Sequence, residues 1–219
     1  MKESSAADPA APKRARVRNR RGEGGRLRED IISAAAELLD ETGDERAITL
    51  RSVARKVGIA APSIYPHFPD QPSIMLAVVQ REFTELATHL HSEVRAAGDD
   101  PREGLYALCR AYLAYAKNHP ERYRTMFGGL WMPTLGDNSL TEEDLTSLGS
   151  TAIQVLVDAL AKCAAAGQST VTDPPQDAIT LWLGLHGLAH QRAVSRTFPW
   201  PEESITEAMI TRLACLKET

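Results

Sequence analysis

The 219-residue chain is short of aromatics, of cysteine and of any long apolar run. Aromatic residues make up only 5% of it, so each one needs a packing or binding role. Its three cysteines, Cys109, Cys163 and Cys215, are odd in number and far apart. That spacing argues against a disulfide framework or a zinc cluster and fits a reducing compartment, with the thiols read as small buried hydrophobes. No apolar stretch approaches the roughly 18 residues of a membrane span, and Arg20-Arg21 lacks the apolar run that a secretion signal needs. A cytoplasmic protein with no membrane partner is expected. Alternating strand patterns are missing as well. No HExxH occurs, no Gly-rich turn follows a strand, and no Ser/His/Asp or Cys/His arrangement can be placed. The reading is an all-α protein that is not an enzyme and that needs no cofactor and no metal.

What is present is charge asymmetry. Residues 1–28 hold nine Lys/Arg against three acids, so a formal net charge of −4 conceals a body of −10 over residues 29–219. Lys13, Arg14, Arg16, Arg18, Arg20 and Arg21 crowd a segment without apolar periodicity, which cannot bury enough surface to fold alone. Residues 1–26 therefore read as a basic disordered tail, either a solubilising one or an arm that follows DNA phosphates or enters the minor groove.

The segment Thr49 to Phe68 reads as a short helix, a tight turn at Gly58 and a second short helix carrying Tyr65 and His67 near its end. The Thr49 hydroxyl can cap the first helix, and Val53, Ala54 and Val57 give that helix a narrow apolar face. Gly58 supplies the positive φ for the turn, Ile59 plugs the angle between the helices, and Pro62 sits where a first turn tolerates a missing N–H. This is helix-turn-helix geometry, in which the second helix enters the major groove.

Helical period dominates elsewhere. Leu27 to Thr42 forms a first helix stopped by Gly43, and Asp70 caps a long one reaching about Ala97 with Ile74, Val78, Phe83, Leu86 and Leu90 inward. Further helices are expected from Pro101 to Asn118, from Pro120 to Gly128-Gly129, from Leu140 to Ala166, from Gln176 to Arg196 and from Pro201 to Lys217, with a loop over Met132 to Leu140. The expected organisation is a tail (1–26), a three-helix head (27–72) and a larger helical body (73–219).

Thr49-x-Arg51-x-x-Ala54, Gly58-Ile59 and Tyr65-x-His67-Phe68, in a head that precedes a long connecting helix, resemble the tetracycline-repressor (TetR) family of bacterial regulators. Trp182-x-x-x-His186-Gly187, preceded by Asn118-His119-Pro120-Glu121-Arg122-Tyr123-Arg124-x-Met126-Phe127, is similar to a subgroup named for a Trp-His-Gly signature in its regulatory domain. The resemblance implies a homodimer, an operator of double-stranded DNA and a small-molecule effector bound in the body. It places Arg51 and Ala60, Ala61, Pro62 and Ser63 at base edges, and Thr49, Tyr65 and His67 at phosphates. Arg can pair with guanine O6 and N7, and Ala or Pro can meet a thymine methyl.

The chain departs from the pattern at several positions. Ala60 stands where relatives often have a capping side chain, and Ala61 where a longer polar reader can sit. Gln71 takes the place of a common phosphate-binding lysine. Pro66 should end or kink the reading helix. Fewer base contacts and a larger share of affinity from the tail follow from this, with specificity partly read from DNA shape.

In the body, Phe83, Leu86, Leu90, Tyr112, Phe127, Trp131, Trp182 and His186 are the candidates for an effector site, against the plain alternative of an aromatic core. His186 and His190 lie at i and i+4 but lack a third ligand with metal spacing, so His186 reads as a core polar group. Leu181, Leu185 and Leu188, with Ile205, Met209, Leu213 and Leu216, are expected to form the dimer seam, while Trp182 and His186 face the subunit's own core. The function expected is that of a repressor released from a palindromic operator by a small apolar or aromatic molecule. The competing readings are a small α-helical enzyme and a ligand-independent architectural DNA binder.

Overall fold

The computed structural model describes residues 24–217 except 130, 132, 134, 137, 196 and 201. Residues 1–23 of the basic tail lie outside the described residues, and Gly24, Gly25 and Arg26, expected in the tail, already belong to α1. Among those described the chain is helical, without a strand: α1 (Gly24–Thr42), α2 (Leu50–Val57), α3 (Gln71–Ala96), α4 (Pro101–Asn118), α5 (Pro120–Phe127), α6 (Glu142–Thr146), α7 (Ser150–Ala165), α8 (Pro174–Val194) and α9 (Glu202–Leu213). Aspartates start three of the long helices, each carboxylate accepting a first-turn N–H: Asp70 from Ser73, Asp100 from Arg102 and Asp173 from Gln176. Proline follows at the first or second position in all three, where no N–H is needed.

Two apolar clusters form. The head gathers Ile31, Ala35, Ile48, Val53, Ile64 and Phe68, and the body gathers residues from α3, α4, α7, α8 and α9. α3 serves both, sending Ile74, Met75 and Val78 into the head and Leu86 and Leu90 into the body. It is the mechanical link between them.

Several expectations are corrected. The single helix expected from Leu140 to Ala166 is broken into α6 and α7 at Gly149, whose φ of +78° suits glycine. A side chain there would also meet the Phe83 ring at 3.0 Å. The last helix ends at Leu213 and does not run to Lys217. The Ser169 hydroxyl donates to the Ala214 carbonyl at 2.7 Å, and the Thr170 N–H then donates to the Cys215 carbonyl and the Lys217 N–H to that of Gln168 in an extended turn. Cys109 and Cys163 are buried as expected, but Cys215 sits in that turn at φ +48° and is exposed.

The leucine stripe expected at a dimer seam faces the other way. Leu181, Leu185 and Leu188 are at most 8% exposed and belong to the body's own core. Burial of that kind is worth about 1.5–3 kcal/mol per side chain. The face of α8 left open carries Ile179, Leu183, Gly187, His190 and Val194, with Leu183 56% exposed. Leu216, beyond the end of α9, is buried, and Ile205 on α9 is exposed. Gly184 lets α9 approach α8 within the subunit, since a Cβ there would lie 2.5 Å from Leu213 Cδ1.

Candidate functional site

The helix-turn-helix is built from paired caps. The Thr49 hydroxyl accepts the Ser52 N–H at 3.0 Å, and the Ser52 hydroxyl accepts the Thr49 N–H at 2.8 Å, a capping box that rigidifies the start of α2. Gly58, at φ +80°, ends α2, with its own N–H and that of Ile59 both donated to the Ala54 carbonyl.

The second element is not an α-helix. Residues Ala61–Ser63 form a 3-10 turn without a side-chain cap at Ala60, followed by turns to His67. Pro66 lacks the N–H that would continue the ladder, and its ring crowds the carbonyl four residues back, so the segment stays tight and short. Ile64 and Phe68, 0% and 2% exposed, pin it to the head core. Pro62, Ser63 and Tyr65 face solvent, the last at 59%, and Ala61 and His67 are half-buried.

Arg51 is exposed on α2, Arg55, which the sequence reading did not single out, shares its face one turn on, and neither is ion-paired among the described residues. Lys56 is committed elsewhere, to Glu37 at 3.1 Å and Glu41 at 2.8 Å on α1. Gln71 is also engaged: its amide donates to the Glu45 carbonyl at 3.1 Å and ties α3 to the preceding loop. Its side chain thus serves the head's own structure. Only the partners of a cation, and not its presence in the sequence, decide whether it is available to a phosphate.

The body encloses a cavity of about 390 Å³ between α3, α4, α7 and α8. Of the expected residues, Phe83, Leu86, Leu90, Tyr112, Phe127 and Trp182 line it. Leu185 lines it too, from the stripe expected at the seam, and Thr146, Gly149 and Ser150 form one edge at the break between α6 and α7. No charged side chain is among the described lining residues. Trp131 is not there; it packs against the head cluster. His186 stands one layer behind the wall, with Nδ1 at 2.7 Å from the Tyr123 hydroxyl, which in turn lies 3.2 Å from that of Tyr112. Burial, with His190 nearby, holds the His186 pKa below the ordinary histidine range, and burial raises that of the Tyr123 phenol. The pair is therefore a neutral phenol hydrogen-bonded to a neutral imidazole, and the His186 tautomer sets which of them donates. Phe127 contacts Tyr112, Tyr123, Trp182 and His186, so the scarce aromatics concentrate at this wall.

α5 joins that wall to α3. Its Tyr123 and Phe127 face the aromatic cluster, while Arg122 pairs with Glu85 and reaches buried Glu82 at 3.6 Å. From the same part of α3, Arg81 reaches Ser33 of α1 at 3.1 Å. A continuous set of polar contacts thus runs from α5 through α3 to the head.

The model for bacterial regulatory proteins of the tetR family matches residues 31–78, and that for the tetracyclin repressor-like C-terminal domain matches residues 105–213. An uncharacterized HTH-type transcriptional regulator of Mycobacterium tuberculosis is 25% identical over 187 residues, covering 85% of this chain and 79% of that one. The HTH-type transcriptional activator FasR of Mycolicibacterium smegmatis is 28% identical over 129 residues, so the match spans only 57% of each chain. Among solved structures, a Rhodococcus protein of unknown function superposes with a TM-score of 0.70 at 22% identity, over 90% of this chain and 97% of that one. The SmeT–triclosan complex has a TM-score of 0.60 at 19% identity, over 88% and 93%. At these identities the two structures speak for the fold.

Proposed function

The chain belongs to the TetR family of DNA-binding transcriptional regulators, and from that premise we propose that it is a homodimeric repressor released from a palindromic operator by a small, uncharged, largely apolar molecule. The observation that carries this reading is the cavity of about 390 Å³ whose wall includes Phe83 and Leu86 of α3, the helix that also packs the head. That volume suits a ligand of one or two rings, and the absence of charge from its lining selects against ions, which would lose their hydration without a partner. The similarity to a protein solved with triclosan is in keeping with such an effector.

Arg51 and Arg55 serve the groove and its phosphates, with Ala60, Ala61, Pro62 and Ser63 at base edges and Thr49, Tyr65 and His67 at the backbone. Two heads must meet successive major grooves about 34–36 Å apart. The open face of α8 around Leu183, with α9, supplies the two-fold contact. Effector binding against Phe83 and Phe127 shifts α5 and α3 towards a pose that spoils this spacing. A differential affinity of about 1–3 kcal/mol between poses is enough for a 5- to 150-fold response.

The test is selection of bound duplexes from random DNA with the full-length dimer, followed by operator titration during a screen of neutral aromatic compounds. A palindromic consensus and compounds that weaken binding are expected. Compounds that tighten binding would turn the reading into an activator, and a body that takes up no compound would return the chain to a ligand-independent DNA binder.

A further inference from the structure

A second cleft, of about 840 Å³, lies on the side of α4 away from the apolar cavity and is bounded by the end of α8, the turn at 198–200 and α9. Its chemistry is opposite to that of the first. Arg110 and Lys117, at i and i+7 on one face of α4, and Arg192 of α8 line it, with Glu207 the one acid among the described lining residues. Neither Arg110 nor Lys117 is ion-paired with a carboxylate among the described residues; Arg110 leans over the Tyr106 ring at 5.8 Å. The Arg192 guanidinium donates to the Thr206 hydroxyl at 3.3 Å, which holds it in place. This concentration of cations occurs in a body whose residues 29–219 carry a net −10.

The remaining wall is largely apolar, and its two aromatic residues are fixed before any ligand arrives. Phe198 and Trp200 meet with ring centroids 4.5 Å apart. Backbone bonds from the Phe198 N–H to Ser195 and from the Trp200 N–H to Phe198 fold the turn, and the Trp200 indole N–H donates to the Ser195 carbonyl at 3.1 Å. Phe198 is nonetheless 54% exposed, in a chain with few aromatics to expose. Packing within the subunit does not call for that exposure, whereas a ring laid against it would use it.

We propose that this cleft is a second ligand site, for a flat aromatic carboxylate whose ring stacks on Phe198 and whose carboxylate is held by Arg110 and Lys117. It is separate from the effector cavity, which has no cation among its described lining residues.

The test uses 2-naphthoate and its neutral counterpart 2-naphthylmethanol in calorimetric titrations of the full-length protein. At the cleft, read as the binding that Phe198→Ala removes and so apart from any uptake of the alcohol by the effector cavity, the carboxylate is expected to bind at least about tenfold tighter than the alcohol, a difference of about 1.4 kcal/mol, and to lose that advantage at high salt. Arg110→Gln with Lys117→Gln should weaken the carboxylate about tenfold, and Phe198→Ala should weaken both ligands. Phe127→Ala, in the other cavity, should leave 2-naphthoate affinity unchanged. Equal binding of the two ligands, indifference to the Arg110/Lys117 change, loss of binding in Phe127→Ala, or no binding of 2-naphthoate at millimolar concentration would each overturn the proposal.

Discussion

Phe83 of α3 and Phe127 of α5 meet edge to face, with ring centroids 5.3 Å apart and planes at 86°. Both line the apolar cavity, so a ligand there touches the link to the head and the helix braced against it at once. Phe127→Ala should remove this contact for about 2 kcal/mol of stability, less than a fully buried phenylalanine costs. Operator affinity in the absence of effector should stay within about twofold, while the effector's influence on it falls at least about tenfold. Operator titrations with and without effector check this; a normal response would detach the cavity from the switch.

Arg51→Ala should cost about 1–3 kcal/mol on the preferred operator and relax the preference at one base pair per half-site. Tyr65→Phe should weaken all sequences alike, because a phosphate contact carries no base information. Repeating the duplex selection with each variant distinguishes the two roles, and an unchanged consensus for Arg51→Ala would remove that residue from base reading.

Leu183 and Leu185 are separated by one residue and should behave differently. Leu183→Glu, on the open face of α8, should leave the fold within about 0.5 kcal/mol but shift sedimentation equilibrium from dimer to monomer and abolish operator binding. Leu185→Glu places a charge in the body core and should cost about 4 kcal/mol or more, seen as a collapse of the melting temperature. A dimeric Leu183→Glu protein would move the seam elsewhere.

The depressed pKa of His186 makes stability depend on pH in a defined direction. Above the unfolded value of 6.5 the imidazole is neutral in both states and contributes no slope. As pH falls through that value the unfolded chain takes the proton first, so stability declines until the folded pKa is reached. In His186→Gln the loss of stability between about pH 7 and pH 5 should be smaller than in the parent protein. Denaturant midpoints across that range measure it, and parallel curves would show that His186 titrates as it does in the open chain.

Much of the head was legible because its signals are local. The Thr49 cap and the Gly58 turn each depend on one residue's chemistry, and the structure has both. The reading segment was legible in part: Pro66 announced an early end, but the change from α to 3-10 geometry depends on how Ile64 and Phe68 dock. The body was harder. α8 carries Leu181, Trp182, Leu183, Leu185 and Leu188, apolar on almost every side, so periodicity alone could not choose the face that meets the core. The break at Gly149 was hidden for a related reason, since apolar spacing continues across it and the cause lies at Phe83, far away in sequence. Trp131 was assigned by its neighbourhood in the chain, whereas the fold returns it to the head.

The shared use of α3 also limits how this protein can be re-engineered. A head excised at residue 72 would leave behind Ile74, Met75 and Val78, which are 0–1% exposed and belong to its own apolar cluster. A body begun there would carry those same side chains with nothing to cover them. Chimeras that transplant operator choice onto another sensor must therefore exchange the chain as far as Val78 or beyond and match the helix phase at the junction. A one-residue slip there turns the head by about 100° about the helix axis relative to the body.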